Sequence, residues 1–78
     1  MNRFRDHLRS KRKKLGLSMR EMERRSGVSN AFLSQVEKGT RNPTIKYLIK
    51  IADVYKENIH ELLNILLSDH YNDYGAGI

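Results

Sequence analysis

The 78-residue sequence has no cysteine, no tryptophan and a single proline, Pro43. The missing cysteines exclude a disulfide framework, a thiolate metal site and a cysteine nucleophile. Apolar runs stop at three residues, as in Ile65-Leu66-Leu67, far short of the length that spans a bilayer. The basic N-terminal stretch is followed by no apolar segment, so it does not read as a signal peptide, and the cytosol is the expected compartment. Strand signals are absent too: there is no alternating run and no Asn-Gly hairpin turn. No glycine-rich phosphate loop, paired-carboxylate pocket or nucleophile–base pattern occurs. His7, His60 and His70 share no metal-ligand spacing. Together these absences predict neither an enzyme nor a bound metal or cofactor.

Acid is scarce in the first part of the chain. Residues 1–50 hold 14 basic groups against four acids, Asp6, Glu21, Glu23 and Glu37, a surplus of ten. Residues 51–78 hold Lys56 against Asp53, Glu57, Glu61, Asp69 and Asp73, a deficit of four. Such asymmetry suits one half facing a polyanion and another half with a different task. The basic cluster Arg3, Arg5, Arg9, Lys11, Lys13 and Lys14 is too poor in large apolar residues for a membrane-surface stripe. It reads as solvated charge adding to that field.

Helix signals recur five times. A first helix over residues 2–15 places Phe4, Leu8 and Leu15 on one stripe, with Gly16 as a left-handed cap. Ser18 with Glu21 makes a capping box for a short second helix that Gly27 ends. Ser29 caps a third helix with Leu33 and Val36 inward, stopped by Gly39. After the loop Thr40-Arg41-Asn42-Pro43, Thr44 caps a fourth, with Ile45, Leu48, Ile51, Ala52 and Tyr55 in one arc. Asn58 with Glu61 opens a fifth, with Ile59, Leu62, Leu63 and Leu66 as its stripe. The reading divides the chain into an all-α domain over 1–68 and a polar tail over 69–78, frayed unless a partner holds it.

The informative stretch is Met19 to Lys38. Two short helices meet at Gly27, where the turn needs a positive φ, and the apolar residues after it lock the second helix on the first. This is the pattern of a helix-turn-helix, whose second helix enters the major groove. The outer face of that helix, Ser29–Lys38, carries Asn30, Ala31, Ser34 and Gln35. Asn30 and Gln35 suit adenine N6/N7, Ala31 a thymine methyl, and Ser34 a base or a phosphate. Amides at the helix start near Ser29 suit a phosphate. Arg20, Arg24, Lys38 and Arg41 flank the face, with Arg20, Lys38 and Arg41 as further phosphate contacts.

At these residues the chain resembles the Xre/Cro-like helix-turn-helix domains of phage repressors and bacterial regulators. The matching text is Ser10-Lys11-Arg12-Lys13-Lys14-Leu15-Gly16-Leu17-Ser18, Gly27-Val28-Ser29, Leu33-Ser34-Gln35-Val36-Glu37-Lys38-Gly39 and Arg41-Asn42-Pro43-Thr44. The likeness covers about residues 4–64 and implies a lambda-repressor-like five-helix bundle that binds double-stranded operator DNA, usually as a homodimer. It puts Asn30, Ala31, Ser34 and Gln35 on base edges and Lys38, Arg41 and Asn42 on phosphates. Arg12 and Glu37 fall on a structural ion pair between the first and third helices. Two positions depart from the pattern. Met19 stands where the family favours a phosphate-touching Gln. Glu23 stands where it favours Ala, with its stem free to swing toward Arg20, Arg24 or Arg25, or else to splay the two helices or weaken DNA affinity. Met22 reads as core filling.

Tyr47, Ile49 and Val54 lie off the stripe of the fourth helix, and Ile65 and Leu67 off that of the fifth. This apolar surplus points to a two-fold interface built from Ile65, Leu67, Tyr71 and Tyr74. The sequence therefore reads as a dimeric, DNA-binding transcriptional regulator, a repressor, acting at the nucleoid in the cytoplasm. The alternative is a protein-interaction module, such as an antitoxin or regulator partner, working through residues 47–78.

Overall fold

The computed structural model describes residues 3–75, with side chains described for residues 3–70. Five helices follow one another: α1 (Arg3–Lys14), α2 (Met19–Ser26), α3 (Asn30–Lys38), α4 (Ile45–Tyr55) and α5 (Ile59–Gly75). The described residues contain no strand. The fold is an all-α bundle with a helix-turn-helix at its centre.

Local chemistry sets most of the boundaries. Ser18, Ser29 and Thr44 each hold an extended backbone, and each hydroxyl accepts the amide three residues on, that of Glu21, Phe32 and Tyr47. Such caps satisfy amides that a helix leaves without internal partners. The second half of the expected box at Ser18 is replaced, because the Glu21 carboxylate turns to Arg24 and Arg25 of its own helix. α4 ends without a glycine: Lys56 takes the left-handed conformation itself, at φ 56°, and the amides of Lys56 and Glu57 close on Asp53 and Ala52.

One core joins all five helices. It comprises Phe4, Leu8, Leu17, Met22, Leu33, Val36, Tyr47, Leu48, Ile51, Ala52, Tyr55 and Leu62. Met22 is core filling, and Met19 is half-buried against the same cluster. Three stripes differ from the sequence expectation. In α1 the inward residues are Phe4 and Leu8, while Leu15 is exposed; the left-handed Gly16 turns the chain so that Leu17 fills the space instead. In α4 the buried arc is Tyr47, Leu48, Ile51, Ala52 and Tyr55, rotated so that Tyr47 is 3% exposed and Ile45 63%. A tilted contact between the Tyr47 and Phe32 rings, 5.5 Å between centroids, accompanies this rotation. In α5, Ile65 is half-buried against the core, and only Leu67 of the surplus pair is exposed. That helix packs on α1 as well as α4, so its buried face is wider than one stripe.

The largest difference lies at Asp69. The sequence reading starts a tail there, yet α5 runs on to Gly75. Asp69 is buried, and its carboxylate accepts the amides of Phe4 at 2.8 Å and Arg3 at 3.2 Å. A residue 65 positions away in the chain thus caps the first turn of α1 and meets the positive end of its dipole. The side chains of Tyr71 and Tyr74 lie outside the described residues, as do residues 76–78.

Candidate nucleic-acid interface

α3 is held from behind by α1, and its opposite face is exposed. Its inward residues, Leu33, Val36 and Glu37, are buried. The Arg12 guanidinium grips the Glu37 carboxylate in a fork, Nε to Oε2 at 2.9 Å and a terminal nitrogen to Oε1 at 3.2 Å. Its remaining nitrogen donates to the Leu17 carbonyl at 3.0 Å. Hydrogen bonding to Glu37 raises the pKa of Arg12, against the opposing effect of its burial. Paired charges of this kind hold only with such geometry, since the desolvation of each ion must be offset.

Two more arginines of α1 reach the same end of α3. Arg5 donates to the Lys38 carbonyl and Arg9 to the Glu37 carbonyl at 3.4 Å. Arg5, Arg9 and Arg12 recur at helical spacing, so one face of α1 supplies cations to the negative end of α3. The sequence reading treated Arg5 and Arg9 as solvated field charge; both are tied to α3. Gly39 closes the helix at φ 80°, and a Cβ there would come within 2.9 Å of the Arg5 Cζ.

On the outer face, Asn30, Ala31 and Gln35 are exposed and Ser34 is half-buried. The four side chains lie along one side of α3, opposite Leu33 and Val36. Arg41, from the following loop, folds back over this helix. Its guanidinium lies 5.1 Å from the Phe32 ring centroid and donates to Gln35 Oε1 at 3.3 Å. Phe32, which the sequence reading passed over, is therefore the platform for Arg41, and Arg41 fixes which end of the Gln35 amide points outward. An arginine–ring pair across a loop leaves no mark in local periodicity. Lys38, Asn42 and Arg20 are exposed around the rim.

The start of α3 has a different occupant. The Ser29 hydroxyl is spent on the Phe32 amide, and Glu23 Oε2 accepts the Asn30 amide at 3.1 Å. Glu23 neither pairs with Arg20, Arg24 or Arg25 nor disrupts the contact between α2 and α3. Its carboxylate bridges the two helices as a second cap.

Comparison with known proteins agrees with this arrangement. A helix-turn-helix family model matches residues 8–62, well over half of the chain. The chain belongs to the Xre/Cro-like helix-turn-helix family. Among the curated members of this family it is 51% identical over 45 residues to an uncharacterised HTH-type transcriptional regulator of Mycobacterium tuberculosis, covering 58% of this chain and 32% of that protein. It is 37% identical over 54 residues to the HTH-type transcriptional regulator SinR of Bacillus licheniformis, covering 68% and 49%. It is 31% identical over 72 residues to the HTH-type transcriptional regulator DdrOP3 of Deinococcus deserti, covering 92% and 54%. The chain thus spans from about a third to about half the length of these helix-turn-helix relatives. No solved structure matches it at a significant level. Among the described residues, no helix is long and apolar enough to cross a membrane.

Proposed function

We propose that this chain is a sequence-specific double-stranded DNA-binding transcriptional regulator, a repressor that reads a palindromic operator as a homodimer. The carrying observation is the exposed row Asn30, Ala31 and Gln35 on a helix whose other side is locked to α1 through Arg12 and Glu37. A reading helix must keep its side chains out and its axis fixed, because base recognition depends on the positions of donors and acceptors. Asn30, Ala31, Ser34 and Gln35 meet base edges. Gln35 retains both amide N–H groups and a second lone pair on Oε1, enough for an adenine edge. Ser29, Arg20, Lys38, Arg41 and Asn42 approach phosphates, and the basic surplus of residues 1–50 draws the chain to DNA through counterion release. Bound at an operator, such a protein represses by occupying it, in the cytoplasm at the nucleoid. Exposed Leu67 on α5 supports a two-fold contact there, which sets half-sites about 34 Å apart.

Selection from a random duplex library near physiological salt, followed by sequencing, tests this. The expected result is an enriched palindrome whose half-sites lie one helical turn apart. Gln35→Ala then relaxes one base position at a cost of about 1–3 kcal/mol. Unchanged site preference in that variant overturns the assignment of the reading face. The exposed Ile49 and Leu67 favour a second reading, a protein-interaction module working through residues 47–78. That reading gains if the library shows neither enrichment nor low-salt retention.

A further inference from the structure

Glu23 is an exposed acid tied to the first residue of α3, and its environment is unusual. Arg20, Arg24 and Arg25 share its helix. Two of these pair with Glu21 instead, and among the described residues Glu23 makes no ion pair. Its exposed carboxylate goes to the amide of Asn30, the first residue of α3. The recognition helix of a helix-turn-helix meets base edges with its N-terminal residues, and the amides of a helix's first turn are also donors that a phosphate uses. A carboxylate on the Asn30 amide stands in for that phosphate: it is an anion of similar reach, held by the same donor and favoured by the same dipole. When DNA arrives, two anions compete for one donor. Either the carboxylate withdraws and gives up its hydrogen bond, or it stays and repels the backbone.

We infer that Glu23 is an affinity-setting residue, a built-in phosphate mimic that holds DNA binding below what the rest of the interface would give. The inference rests on the DNA-binding reading above. Because the competition involves backbone and phosphate, it weakens all sequences alike and leaves base preference unchanged. The device lets operator occupancy respond to protein concentration over a range that a tighter interface would saturate.

The test uses the full chain and two variants, Glu23→Gln and Glu23→Ala. Gln keeps an acceptor for the Asn30 amide and removes the charge, while Ala removes both. Affinity is measured by fluorescence anisotropy on the selected operator and on a scrambled duplex, across a salt series, with thermal melts run in parallel. Glu23→Gln is expected to tighten both duplexes by about tenfold and to steepen the salt dependence by about one phosphate contact. Glu23→Ala should tighten binding in the same direction wherever the melt shows it folded. Unchanged or weaker binding by Glu23→Gln overturns the inference and leaves Glu23 as a cap alone. A gain confined to duplexes altered at one base pair also overturns it, since Glu23 would then be reading a base. If the wild-type chain retains no duplex even at low salt, the DNA-binding reading itself fails, which the variants alone cannot mimic.

Discussion

The two ends of α3 are secured by opposite means. Its C-terminal end is gripped from outside: Arg5, Arg9 and Arg12 of α1 meet the carbonyls of Lys38 and Glu37 and the Glu37 carboxylate. Its N-terminal end is closed from nearby in the chain, by the Ser29 hydroxyl and the Glu23 carboxylate. Each end thus receives the charge that complements the helix dipole. The difference lies in accessibility. The Arg12–Glu37 pair at the C-terminal end is partly buried. The N-terminal caps are exposed, and in the proposed mode of binding they face the DNA. One end of the reading helix is an anchor, and the other is the place where affinity can be adjusted.

The sharpest way to break this contrast is at Glu37. Glu37→Ala strands the Arg12 guanidinium beside a buried side, and loss of one partner from such a pair costs about 3 kcal/mol or more. Urea denaturation should show this, whereas Glu23→Ala at the other end should cost no more than an exposed cap. Equal losses at both ends would remove the distinction between anchor and adjustable end.

Alkaline pH probes the buried tyrosines packed behind α3. Burial, with the charge of nearby Glu37 adding to it, raises the pKa of Tyr55; burial likewise raises that of Tyr47. Tyr55 also donates to the Leu8 carbonyl at 3.3 Å. A phenol whose pKa is higher in the fold than in the unfolded chain contributes fully below the unfolded value of about 10. Its contribution is lost as pH rises through the folded value. Stability should therefore be insensitive to these phenols at neutral pH. Above about pH 10 it should fall by about 1.4 kcal/mol per pH unit for each phenol that stays protonated in the fold. Tyr47→Phe should flatten that decline, as read by melts at successive pH values.

Smaller effects sharpen the comparison further. Gly39→Ala forces a side chain into φ 80° at the anchored end, at about 1–2 kcal/mol. The same change should loosen the Arg5 contact and lower amide protection at Lys38 in hydrogen exchange. Ser29→Ala removes one exposed cap and should cost about 1 kcal/mol, with a smaller change in melting temperature than Gly39→Ala.

Much of this architecture was legible in order along the chain. The caps at Ser18, Ser29 and Thr44 and the left-handed glycines at 16, 27 and 39 act through bonds a few residues long, so the residue type and its neighbours suffice to find them. The outward row on α3 follows from helical period once its inward residues are known. The rest depends on contacts between distant segments. Asp69 looked like the first residue of a polar tail because its partners, the amides of Arg3 and Phe4, lie at the other end of the chain. Tyr47 looked peripheral because the ring of Phe32 is what covers it. Glu23 looked like a bulky misfit because its partner is a backbone amide, which carries no letter in the sequence.

Periodicity, capping and charge are local or additive, so the order of residues along the chain already specifies the class of fold, five helices with their breaks, and a basic half against an acidic one. Packing settles which arginines of α1 anchor α3 and which acid meets the first amide of that helix. Those outcomes depend on how helix faces meet, and side chains far apart in sequence become partners only once packing has fixed the distance between them.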